Sequence, residues 1–231
     1  MSSNVFGSFY DRAIMQDESF ELSDRAYNLT IGLLLAYGFF VNWMLSAYFA
    51  PMVANLFYRG GLLFVLAYFG LTFIGSALLR FENFAIGFFG YTLILLPVGV
   101  TVSAILAQYD IALIDEAFLY TGIIVLCMLL AATFRPEWFE HMGSALAVAL
   151  GITLVFGIFT IFIRGLGTIY DYAIILIMAL YVGYDWARAN SVQKTRSNAL
   201  IAAASLYLDI MNILLRVLRI LARSRGGRRR D

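Results

Sequence analysis

Seven long apolar runs dominate this sequence: 27–49, 61–79, 84–107, 117–134, 143–163, 169–187 and 199–221. Each is near the ~20 residues that an α-helix needs to cross a bilayer core. Apolar residues make up 62% of the 231-residue chain and charged ones 13%, against roughly 45–50% and ~25% in soluble domains. A water-soluble globule is therefore excluded. The runs are continuous, without the period-two alternation of barrel strands, so the expected fold class is all-α: a polytopic membrane protein of seven transmembrane helices. The connectors are too short to fold alone. The domain reading is a polar N-terminal segment (1–26), a seven-helix domain (27–222) and a basic tail (223–231).

Several chemistries drop out on residue counts. Cys127 is the single cysteine and His141 the single histidine, so neither an intrachain disulfide nor a histidine-based zinc or iron site is available. The one lysine, Lys194, lies in a polar connector, which removes a Schiff-base lysine inside the bundle. A net charge of +1 offers no bulk field for nucleic acid. No nucleophile and base constellation can be assembled, and the expectation is that the chain is not an enzyme. Residues 1–26 carry Asp11, Asp17, Glu18, Glu21 and Asp24 without an apolar core, unlike a cleavable signal peptide.

Charge sets the expected topology. The connector 188–198 is the most basic and polar, and by the positive-inside rule it faces the cytoplasm. Seven spans put it on the same side as the N-terminus, Arg80 and Arg135, with the acidic Asp110, Asp115 and Glu116 opposite. The arginine-rich tail then also falls on the outer side, unless the last run turns back, and its position stays open at this level. Trp43, Trp138 and Trp186 near span ends fit interfacial anchoring, and Asn42 fits a hydrogen bond between helices.

Deep in the spans the acids are Asp185 and Asp209, with Asp171 near the start of the sixth. Ionisable residues in a membrane are expensive and mark function by default. Asp185 and Asp209 share residue 197 as their midpoint, so an antiparallel hairpin brings them to one depth, roughly 10–15 Å below the turn at 1.5 Å per residue. In the seventh run Ser205, Asp209, Asn212 and Arg216 follow helical spacing as one polar stripe. Two such carboxylates share a proton and titrate together, and when both are ionised they offer oxygens to a hard cation such as Ca²⁺. The alternative is that each aspartate hydrogen-bonds a hydroxyl or pairs with an arginine and merely holds helices together.

The stretch Ala204-Ser-Leu-Tyr207-Leu-Asp209-Ile-Met-Asn212, preceded 24 positions earlier by Asp185 after Tyr184, closely resembles the C-terminal signature of the Bax inhibitor-1 (transmembrane Bax inhibitor motif) family. Ala85-Ile-Gly87-Phe-Phe-Gly-Tyr91-Thr resembles the family's second recurring stretch. The likeness is to a prokaryotic-type seven-helix member. It implies six helices around a central seventh and a pH-sensitive calcium leak with Ca²⁺ as permeant ion and no covalent cofactor. It also implies a prokaryotic cell membrane as the location, rather than the endoplasmic reticulum. By the same resemblance Asp185 and Asp209 form the proton sensor and tentative Ca²⁺ site, and Arg80 is the nearest match to the arginine that latches the pair. Some members carry a glutamate in the second helix, where run 61–79 has no acid. The resemblance also implies a second reading, a membrane-embedded regulator that binds other membrane proteins, in cell death or protease control; a proton-coupled Ca²⁺ exchanger, with saturable, proton-countered flux, is the further alternative to a leak.

Overall fold

The computed structural model describes residues 21–163 and 166–228, and among these nine helices follow one another without a strand. They are α1 (Asp24–Tyr48), α2 (Ala50–Arg59), α3 (Gly61–Leu78), α4 (Phe84–Leu106), α5 (Ile111–Phe134), α6 (Pro136–Glu140), α7 (Gly143–Phe162), α8 (Leu166–Ser191) and α9 (Arg196–Arg228). Seven of them, all but α2 and α6, are long and apolar enough to cross a membrane. Local signals start them. The Ser23 hydroxyl accepts from the Ala26 N–H at the head of α1, and the Asn83 side chain accepts from Ala85 and Ile86 at the head of α4. Pro51 and Pro136 stand in the first turns of α2 and α6, where a missing N–H costs nothing.

The helices run further than the uncharged runs. α5 begins at Ile111 and so takes in Asp115 and Glu116, and α9 continues unbroken to Arg228. The segment expected as a basic tail from 223 is helical through that residue, and the earlier polar residues 1–20 lie outside the described part. The physical reason is that hydropathy stops at the first charge, whereas a helix keeps its backbone hydrogen bonds as it passes into the polar interface.

α9 is the axis. Its span is 61% buried, and it packs on α8, α1, α5 and α4. α3 packs mainly on α4 and α7 on α8, and their spans are only 6% and 11% buried, with Leu62, Leu63, Phe69 and Phe73 of α3 facing outward. The seventh span is thus central, with four helices against it and two more on the outside of those. A close crossing holds α3 on α4: a Cβ on Gly75 would come within 2.6 Å of the Gly90 carbonyl, and one on Gly90 within 2.7 Å of the Gly75 carbonyl. α1 is tied to α9 by polar contacts. The buried Tyr207 hydroxyl donates to Asn42 Oδ1 at 2.9 Å, and Asn42 Nδ2 donates to Met211 sulfur at 3.3 Å.

One end of the bundle gathers the head of α1, the corner after α3 and the turn between α8 and α9. Leu22 N–H donates to the Lys194 carbonyl, Lys194 Nζ pairs with Asp24, and the Ser197 hydroxyl donates to the Glu82 carbonyl at 2.8 Å. The other end holds the C-terminal half of α9 with Asp110, Asp115 and Glu116. α9 runs as one helix without returning, so Arg219, Arg223 and Arg225 lie at the end opposite the basic turn.

This arrangement gives an orientation-independent expectation. In a Cys127→Ser background, single cysteines at the exposed positions Ser191 and Ser224 label from opposite faces of a sealed membrane with an impermeant thiol reagent. Labelling of both from one face contradicts seven full spans.

Candidate functional site

The packing of α8 against α9 brings Asp185 and Asp209 together. Their carboxyl groups lie beside one another, with the Ser205 hydroxyl, one turn before Asp209 on α9, next to Asp185. Asp209 is buried, with its Oδ2 atom lacking any hydrogen-bond partner, and Asp185 is partly buried. Two carboxylates are acceptors only, so a contact between them fits a pair that holds a proton. The rings of Tyr181 and Tyr184 lie beside the pair. One turn beyond Asp185, Arg188 donates to the Tyr184 hydroxyl at 3.2 Å and stands 5.7 Å from the centre of that ring.

The stripe on α9 divides its partners. Ser205 belongs to the pair, but Asn212 Nδ2 turns back to the Leu208 carbonyl of its own helix at 2.9 Å. Arg216 does not serve the pair either: it binds Asp171 at 3.0 Å and lies 4.9 Å over the ring of Tyr170. Seven residues of helix separate it from Asp209, about 10 Å of rise, so its nearest acid is the one on α8 at the same level.

Arg80 is exposed on the turn that follows α3, away from the carboxylates. The reason is architectural. α3 packs on α4, which stands between it and α9, and the corner after α3 meets α9 at Ser197, about 18 Å of helix from Asp209. Arg188, by contrast, lies one turn from Asp185 on the same helix and donates to Tyr184.

A second charged centre was not foreseen. Asp171 is fully buried, and it accepts from Arg216, from Arg219 at 3.4 Å and from Arg223 at 2.7 Å. Beside it Arg225 pairs with Glu116 at the head of α5. The signal was available: Asp171 and Arg223 share residue 197 as midpoint, the same arithmetic that pairs Asp185 with Asp209. Arg219 falls in the last apolar run and Arg223 opens the basic tail, a stretch that by sequence fits a solvated or lipid-headgroup-binding terminus.

Among the described residues, no group of three or more His, Cys, Asp or Glu side chains could hold a metal ion. Asp185, Asp209 and Ser205 together fall short of the 6–8 oxygens that Ca²⁺ prefers.

A central helix wrapped by six further helices long and apolar enough to span a bilayer defines a multi-pass integral membrane protein. Residues 21–226 match the family model described as Inhibitor of apoptosis-promoting Bax1, and the chain belongs to this Bax inhibitor-1 family. A comparison with curated proteins returns no match.

Removing the hub acid isolates three cations. Asp171→Ala is expected to destabilise the protein by about 3 kcal/mol, because a buried ion cluster loses its counter-charge, and Asp171→Asn, which keeps the shape and one acceptor, by less. Thermal unfolding of the two variants beside the parent in the same detergent measures both effects.

Proposed function

We propose that this protein is a passive, pH-responsive calcium leak, with Asp185 and Asp209 as its proton sensor and as a transient cation site. The observation that carries the reading is the pair itself: two carboxyl groups from adjacent helices, face to face near mid-membrane, one with a buried oxygen left unpartnered. Asp171, bonded to three arginines, is what an aspartate that only holds helices together looks like in this bundle, whereas Asp209 keeps an oxygen without a partner. Family membership supports the same reading.

Proton and cation compete for the same oxygens. Ionised together, the two carboxylates repel, and a divalent cation relieves the repulsion. Protonated, they join α8 to α9 by hydrogen bonds and hold a cation weakly. Loss of one charge therefore changes both the packing of the hairpin and the affinity for the ion. Flux is expected to rise from neutral to mildly acid pH as the helices rearrange, then to fall in strong acid as the binding charge disappears.

The latch role that the family resemblance gives Arg80 belongs in this reading to a second conformation, in which the end of α3 moves inward past α4 and the guanidinium meets an ionised aspartate. Arg80→Ala then raises flux at neutral pH towards the acid level and leaves the acid level itself unchanged. Equal flux in mutant and parent at every pH leaves Arg80 an interfacial anchor.

The decisive experiment is Ca²⁺ flux into proteoliposomes of the purified chain across pH. Asp209→Asn keeps the size and most of the hydrogen bonding but ends the like-charge coupling, and it is expected to flatten the pH profile. A folded Asp209→Asn protein with the parent's profile removes the sensor assignment, and no Ca²⁺ flux from the parent at any pH removes the leak.

A further inference from the structure

We propose that the cluster at the C-terminal end of α9 is a binding site for the headgroup of an anionic phospholipid, with Arg219 and Arg223 as its phosphate ligands. The argument begins with charge. Asp171 carries one negative charge and is met by three guanidinium groups, while Arg225 and Glu116 satisfy each other. The cluster is left with a formal excess of two positive charges. Arg216 is the inner member, its side chain 17% exposed and covered by Tyr170. The excess therefore resides on Arg219 and Arg223, whose side chains are 38% and 43% exposed. Each guanidinium has five N–H donors, and among the described residues the bonds to Asp171 and Thr168 take up only a minority of them.

Depth says what can reach those donors. α9 has 33 residues, about 50 Å at 1.5 Å per residue, against a hydrocarbon core of ~30 Å. Counted from Arg196 at the opposite surface, about twenty residues cross the core, which sets Arg216 at its edge. Arg219 and Arg223 then stand about 5 and 10 Å further out along the helix, in the layer where phosphates lie.

The approach is from the side. Arg223 Nη1 donates to Thr168 Oγ1 at 3.2 Å, and Thr168, Tyr172 and Leu176 follow at one-turn intervals along a single face of α8. All three are exposed, Tyr172 by 57% and Leu176 by 63%. An outward apolar residue is ordinary in a membrane helix. Here the stripe runs from the hydrocarbon to an uncompensated cation at headgroup depth, so an acyl chain lying on Leu176 and Tyr172 carries its phosphate to Arg223. A zwitterionic headgroup brings its own ammonium group and leaves the excess in place, whereas a net-negative headgroup neutralises it with charge-assisted hydrogen bonds. This inference is independent of the calcium reading, since it uses neither Asp185 nor Asp209.

The test is lipid retention by the full chain, read by native mass spectrometry after release from bilayers of equal parts phosphatidylglycerol and phosphatidylcholine. The parent is expected to keep phosphatidylglycerol in clear preference. Arg219→Gln with Arg223→Gln should reduce that preference about tenfold. Thr168→Glu, at an exposed position that disturbs no core packing, places a carboxylate against Arg223 and should have the same effect in a protein of unchanged helix content. Equal retention of both lipids by the parent overturns the proposal, as does an undiminished preference in folded Thr168→Glu. A third arm adds inorganic phosphate to lipid-free protein in detergent and then to the lipid-bound form. Binding of phosphate that displaces phosphatidylglycerol makes this a free-anion site and overturns the lipid assignment.

Discussion

The axial register between α8 and α9 is the constraint on which both charged centres depend. In that register Asp185 meets Asp209, and nearer the far end Asp171 meets Arg216, Arg219 and Arg223. A slip of one helical turn, 5.4 Å, separates the carboxyls and moves the arginines off their acid. The two contacts therefore stand or fall together. Hydrophobic burial does little to select this register in a bilayer, because lipid tails are as apolar as leucine. Polar contacts must select it, and the Asp171 cluster is the strongest of them on this hairpin.

The two centres have opposite electrostatic character. At the carboxylate pair, two acids stand beside Ser205, Tyr181 and Tyr184, with Arg188 one turn further along α8, so acids outnumber the nearby cation. At Asp171 the acid is outnumbered by arginines and its charge is permanently wanted. An intramembrane acid is costly in either setting, and in the proposed function only the first leaves that cost adjustable by a proton or a cation. That difference separates a residue suited to switching from one suited to holding.

The layered arrangement explains which residues can take part. α9 is surrounded by α1, α4, α5 and α8, while α3 and α7 lie outside α4 and α8. A side chain at the end of α3 therefore begins a layer away from the pair, and Arg80 is exposed as a result. The close glycine crossing of α3 on α4 sets that layer firmly, so inward movement of α3 has to disturb it. Arg188, by contrast, is on the same helix as Asp185 and reaches the neighbourhood through Tyr184.

Much of this was determined by the sequence alone. Seven apolar runs, few charges and no period-two pattern admit only a helical membrane bundle, because a bilayer leaves no other way to satisfy the backbone. Midpoint arithmetic brought Asp185 and Asp209 to one level, because a helical hairpin has a uniform rise. Tertiary structure alone decided partners. Helical spacing drew Ser205, Asp209, Asn212 and Arg216 as one stripe, yet at their own depths Ser205 and Asp209 met Asp185, Arg216 met Asp171, and Asn212 turned back to its own backbone. Charges at the ends of α5 and α9 looked like connectors and tail, because a chain read one residue at a time cannot show that a distant acid will be buried beside them. Spacing states which residues share a face; only packing states what that face meets.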